Sequence, residues 1–262
     1  MSATQAEKAA RFRTLHQSGR IFTMPNPWDI GSARALAAMG FEALATSSGA
    51  SAAALGRRDG ELSRDDALAH ARAIVAATDL PVAGDLENGF GDSPEYVAET
   101  IRLAAGAGLV GGSIEDFSGN ETKQLYDLSF ATERVAAAVA AARALPFAFT
   151  LTARAENYLR GKPDLDDTIR RLTAFEKAGA DVLFAPGLPD LNSIRAVCEA
   201  VSKPVNFMIG MKGSSFGVAE LEAAGVRRIS LGGALYRAAM TGFMNATREI
   251  KEKGTFGFVE RF

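Results

Sequence analysis

With 262 residues, 47% of them hydrophobic and 23% charged, the chain has material for a full core and is not a disordered polymer. A formal net charge of -2 without any basic block speaks against nucleic acid or an acidic membrane surface as partner. One cysteine, Cys198, cannot form an intrachain disulfide, and two histidines, His16 and His70, are too few and too dispersed for a zinc site, a Ser-His-Asp triad or an imidazole pair.

The helical period of Gln5–Gln17 predicts an N-terminal helix, and the stretch up to Arg20 is charged and amphipathic, with no apolar run that would direct export or span a bilayer. A soluble cytoplasmic protein is expected. A first strand is predicted over 21–24, followed by the breaker Pro25-Asn26-Pro27 and a helix over 30–39 capped by Asp29. Strand 43–46 runs into a small-residue loop, 47–51, and Ser63 caps a helix over 65–77. Strand 81–85 precedes a helix opened by Ser93-Pro94, with proline at its first position. Strand 109–115 leads to a polar loop, 117–128, and an alanine-rich helix to 144. The fifth strand is predicted over 146–152, then helix 164–177, strand 180–185, helix 190–201 and strand 204–209. Loop 210–217, a helix to 224, strand 227–231 and a last helix opened by Gly232-Gly233 complete the chain. Gly40, Gly108, Gly179 and Gly225 each stand between a helix and its next strand, as C-terminal glycines do. Eight such units without a linker predict a single (β/α)8 TIM-barrel domain over 1–262, with an extra N-terminal helix.

In such barrels chemistry sits where strands end. Asp85 and Glu87 end the third strand, two apart, so an extended chain points both carboxylates one way. Glu115 and Asp116 end the fourth strand, Arg154 and Glu156 the fifth. Carboxylates gathered without Cys or His suit a hard divalent cation, Mg2+ with Mn2+ as a substitute, although acids at such positions also cap helices. The Ser47 to Ser51 turn presents backbone N–H groups suited to an anion, and Arg154 suits a carboxylate gripped by parallel hydrogen bonds. Gly232-Gly233 reads as tight packing rather than a phosphate pocket, and Lys212, in a loop, is a weak Schiff-base candidate.

These residues resemble the isocitrate lyase / phosphoenolpyruvate mutase superfamily. The likeness runs through Asn26-Pro27-Trp28-Asp29, Thr46-Ser47-Ser48-Gly49, Leu55-Gly56-Arg57-Arg58-Asp59, the Asp85 strand, Ile114-Glu115-Asp116, Thr152-Ala153-Arg154 and Arg228-Ile229-Ser230-Leu231-Gly232-Gly233. The resemblance implies Mg2+ held directly or through water by Asp85, Glu87 and Glu115. It further implies a 2-oxo acid on the Ser48-Gly49-Ala50 backbone and Arg154, with Asp59 and Asn206 lining the pocket. Members swap their last helix between subunits, so a homodimer or homotetramer is expected. The gating-loop cysteine of isocitrate and methylisocitrate lyases is absent from Phe117 to Gln124, where Asn120 is the candidate polar residue. The glutamate that many members carry after strand six is replaced by Phe184-Ala185-Pro186-Gly187. The expected activity is Mg2+-dependent C–C cleavage of a short 2-oxo acid such as oxaloacetate, with Arg154, Asp59 and Asn120 as catalytic candidates. Phosphonopyruvate chemistry and non-catalytic 2-oxo-acid binding are the alternatives.

Overall fold

The computed structural model describes residues 3–120, 122, 124–210 and 215–261. In chain order the elements are α1 (Gln5–Gln17), β1 (Phe22–Met24), α2 (Ile30–Ala38), β2 (Leu44–Ala45), α3 (Ser48–Ala54), α4 (Arg64–Ala76), β3 (Val82–Asp85), α5 (Pro94–Gly106) and β4 (Gly111–Glu115). They continue as α6 (Leu128–Arg143), β5 (Thr150–Arg154), α7 (Leu165–Lys177), β6 (Val182–Phe184), α8 (Leu191–Ala200), β7 (Val205–Met208), α9 (Val218–Ala223), β8 (Arg228–Ser230) and α10 (Ala234–Lys253). All paired strands are parallel, in the order β1-β8-β7-β6-β5-β4-β3-β2. This is the expected (β/α)8 barrel. No ladder joins β1 to β2 among the described residues; Ala45 N–H donates to Pro25 O at 3.1 Å, and Asn26 Nδ2 to Thr46 O at 2.9 Å.

The helices start where the caps place them. Thr4, Asp29 and Ser63 each accept from the N3 amide while the N3 side chain answers the cap, and Ser93 caps α5 ahead of Pro94. Each such cap contributes about 1 kcal/mol. The apolar core lies between the helices and the outer faces of the strands. One part gathers around Ile101, Leu109, Phe149 and Leu151, another around Leu172, Phe175, Leu183 and Ile194.

Inside the ring, α1 closes the end away from the strand tips, inserting the buried Phe12. A Cβ on Gly111 would lie 2.9 Å from the Phe12 ring and 2.7 Å from Thr150 O, so a side chain there would push the plug out. Barrel interiors are usually filled by branched apolar side chains. Here Ala45, Ala83, Ser113, Thr152 and Ser230 line an open cavity instead.

Two expectations shift. The fifth strand begins at Thr150, because Phe149 N–H turns back onto Phe147 O at 3.0 Å and keeps the preceding residues out of the ladder. Arg154 is thus the last residue of the strand rather than beyond it. The stretch after β2 is helix α3, not a loop: Ser47 caps it, accepting from Ala50 N–H, and a run of alanines carries it. Among the described residues no helix is long and apolar enough to cross a membrane.

Candidate active site

Register brings the candidate side chains together. Asp85 pairs with Ser113, and Glu115 with Arg154, so the ends of β3, β4 and β5 stand side by side. Arg154 is 8% exposed and is held by Glu156, whose Oε1 accepts from Nε at 3.0 Å and Nη2 at 2.8 Å. Its remaining nitrogen, Nη1, reaches Asp85 Oδ1 at 3.1 Å and Glu115 Oε2 at 3.3 Å. Arg160, one helical turn after Glu156, ion-pairs with Glu115 and Glu156, both at 3.3 Å, and lies 3.5 Å from the centre of the Phe117 ring.

Two cavities meet at this cluster. The first, about 530 Å³, runs down the barrel axis past Asp85, Thr152, Asn206 and Arg228; the second, about 700 Å³, lies under the loop after β4 and is lined by Glu87, Glu115, Phe117 and Arg160. Ser48, Asp59, Arg154 and Leu159 line both. Arg154 is therefore the wall between them, in contact with an acid on each side.

Negative charge outweighs positive here. Burial, reinforced by Asp85 and Asp59 and opposed by Arg154 and Arg160, pushes the Glu87 carboxyl up to about 7. Burial and then the neighbouring Glu156 hold Glu115 well above the usual carboxylate range, despite its two arginines. Burial disfavours the Arg154 cation, but Glu156, Glu115 and Asp85 outweigh it and raise its affinity for the proton. An all-oxygen acidic set of this kind suits a hard cation. No three His, Cys, Asp or Glu side chains among the described residues are close enough together to hold a metal ion directly. The donor set thus fits a cation held by one or two carboxylates and completed by water, rather than a cage of side chains.

The remaining candidates are distributed unevenly. Glu87 does not follow Asp85 along an extended strand; β3 ends at Asp85 and Glu87 takes φ 49°, a left-handed turn that faces it into the second cavity. Of the α3 amides, Ser48 N–H donates to Asp85 Oδ2 at 3.1 Å and Ala50 N–H to Ser47 Oγ at 3.4 Å, while Gly49 lies against Asp59, whose Oδ2 would be 3.3 Å from a Cβ. Asn206 is buried on the axis, donating from Nδ2 to Ser230 Oγ and accepting at Oδ1 from Arg228 Nε. Asn120 is exposed, accepts from Thr122 N–H at 2.8 Å and lines neither cavity. Lys212 lies outside the described residues. Cys198 is half-buried in α8, and burial pushes its thiol up to about 11. His70 holds Trp28 O and Ser51 Oγ, and His16 sits under the barrel.

Sequence reasoning left Arg160, Thr152, Ser230 and Arg228 without a site role. Arg160 was legible only as the residue four after Glu156, in a stretch without periodicity. Arg228 opens its strand rather than ending it, and so escapes a search of strand tips.

A family model described as phosphoenolpyruvate phosphomutase matches residues 12–251. A solved structure from Burkholderia cenocepacia J2315, provisionally described as a lyase/mutase, is 55% identical, with a TM-score of 0.96 over 98% of this chain and 92% of that one. The 2-methylisocitrate lyase of Escherichia coli K12 is 30% identical over 92% of this chain and 87% of its own. The oxaloacetate decarboxylase of Pseudomonas paraeruginosa is 29% identical over 94% and 86%. On these matches, which run over most of its length, this chain belongs to the phosphoenolpyruvate phosphomutase family, within the superfamily of lyases and mutases that joins PEP mutase to isocitrate lyase.

Proposed function

We propose that this chain is a cytoplasmic, Mg2+-dependent carbon–carbon lyase that decarboxylates or cleaves a short 2-oxo acid, oxaloacetate or a near relative. The observation that carries the reading is Arg154: a buried guanidinium locked by Glu156 through two nitrogens, with the third set between Asp85 and Glu115. A group so fixed can receive a carboxylate without first losing side-chain freedom. A relative named oxaloacetate decarboxylase supports the substrate class, and one named 2-methylisocitrate lyase supports carbon–carbon cleavage.

Asp85, with Glu87 and Glu115 beside it, would hold the cation, and Mg2+ bound there would supply positive charge against the negative charge that develops on the substrate in C–C cleavage. Arg154 and the α3 amides orient the substrate carboxylate. Asp59 lines the wall common to both cavities. The loop after β4 is tied at its base by the Phe117–Leu125 bridge and by Arg160 under Phe117, a platform from which it can cover the site. Asn120 would come to the substrate only if that loop closes.

The test is oxaloacetate turnover by the protein and by Asp85→Asn, with Mg2+ and with excess chelator. Activity that survives the chelator refutes the assignment, and phosphonopyruvate turnover read by 31P resonance in its place would move the chemistry to the P–C bond. We also propose that α10 packs on a second copy, giving a homodimer or homotetramer. None of its side chains is buried, and Phe243, Met244 and Ile250 are exposed along it. Light scattering that finds a monomer at micromolar concentration overturns this.

A further inference from the structure

We propose that the floor of the first cavity is a second anion subsite built on Arg228, and that the substrate is therefore a dianion, a 2-oxo acid whose second acidic group points down the barrel axis. The inference rests on the 2-oxo-acid reading above and adds the far end of the ligand to it.

Arg228 opens β8, is 3% exposed and lines the first cavity. Its three contacts are all with neutral groups. Nε donates to Asn206 Oδ1 at 2.8 Å, Nη2 to Thr152 Oγ1 at 3.1 Å, and Nη1 approaches His16 Nε2 at 3.2 Å. The other nitrogen of His16, Nδ1, lies 2.8 Å from Phe12 O and can only donate to it, so Nε2 is left as the acceptor. No carboxylate lies within 4.0 Å of this guanidinium among the described residues, whereas Arg154 touches three and Arg171 two. Burial alone pushes the Arg228 guanidinium down to about 9, with no acid to offset it.

A cation stripped of water and left without a counter-charge is costly, and a fold has no need of one on a floor otherwise made by Phe12 and Phe22. A guanidinium also has more N–H donors than these three contacts use. The residues above it are small, Ala45, Ala83, Ser113 and Ser230, so the cavity stays open down to Arg228 instead of being filled by a layer of branched side chains. Thr152, which accepts from Arg228, stands two residues before Arg154 on β5, roughly 7 Å of strand rise. A short diacid spans that distance with one carboxylate at Arg154 and the other at the floor. A monoacid leaves the floor charge unmatched.

The experiment measures dissociation constants by calorimetry, in Mg2+ buffer, for pairs of 2-oxo acids other than the proposed substrate, alike except that one ends in a methyl and the other in a carboxylate: 2-oxovalerate with 2-oxoglutarate, and 2-oxohexanoate with 2-oxoadipate. The diacid of at least one pair is expected to bind tenfold or more tightly. Arg228→Gln should bring that ratio near one while changing monoacid affinity less than threefold, and Arg228→Lys should keep part of it. If wild type binds both members of each pair equally, the subsite does not exist. A loss of equal size for both members in Arg228→Gln makes Arg228 a structural strut and equally overturns the proposal. If neither member binds wild type, the 2-oxo-acid reading itself fails and takes this subsite with it. Should Arg228→Gln not fold, the wild-type ratio and Arg228→Lys decide the matter.

Discussion

Acidification should unlatch the barrel floor through His16. Burial, and then the adjacent Arg228 cation, push its imidazole down to about 3, against the opposing pull of Phe12 O. In the unfolded chain the same group titrates near 6.5. The folded protein therefore holds the ring neutral while the unfolded chain takes up a proton as pH falls below 6.5. The contribution is fully present above 6.5 and is lost as pH drops towards 3, at up to about 1.4 kcal/mol per pH unit. At pH 5 the loss amounts to about 2 kcal/mol relative to pH 8. The assay is urea unfolding of wild type and His16→Gln at a series of pH values. Acids such as Glu87 titrate in both proteins and cancel in the difference. The variant starts less stable, and the gap should shrink by about 2 kcal/mol between pH 8 and pH 5. A gap constant within about 0.5 kcal/mol would show that His16 is not held neutral, and with it the account of the floor would fail.

Arg154→Lys replaces a planar fork by a point charge, and kcat/KM for the 2-oxo acid should fall by a factor on the order of a hundred or more in steady-state assays. Glu156→Gln removes the anion that fixes Arg154 through Nε and Nη2; unfolding free energy should drop by roughly 3 kcal/mol and KM should rise more than kcat falls, with Glu156→Asp recovering part of both. Asp85→Asn should abolish Mg2+-dependent turnover, and Mg2+ binding followed by calorimetry should weaken at least tenfold. Cys198→Ala should leave turnover within twofold of wild type, because the thiol sits in α8 with its proton held by burial; inactivation would restore a cysteine to the chemistry.

The fold was legible because each level of the sequence agreed. Caps at Asp29, Ser63 and Ser93 and the turn glycines Gly40, Gly108, Gly179 and Gly225 marked the same units that the ladder joins. Within the site, Asp85, Glu115 and Arg154 were readable because each stands where an apolar run stops. Glu87 was placed on the right stave but for the wrong reason: alternation holds only while the chain is extended, and a left-handed residue ends it. The Ser48 turn was mistaken for a loop because small residues serve helix starts and loops alike. Arg228 and Arg160 were invisible to pattern reading for a different cause. A charge inside a barrel, or in an irregular turn, gains its role from partners distant in sequence, here His16, Thr152, Asn206, Glu115 and Phe117.

The meeting of β1 and β2 has a consequence for how the molecule breathes. β4 and β5 share five register pairs, whereas at this join a main-chain contact to Pro25 is supplemented by the carboxamide of Asn26, which also accepts from the amides of Leu231 and Gly232. One side chain thus staples three staves together at the mouth of the cavity. Amide exchange should be fastest, among the staves, at Ala45, and the ring should part there before it parts anywhere between β3 and β6. Replacing Asn26 by alanine would loosen the rim without touching an acid or an arginine.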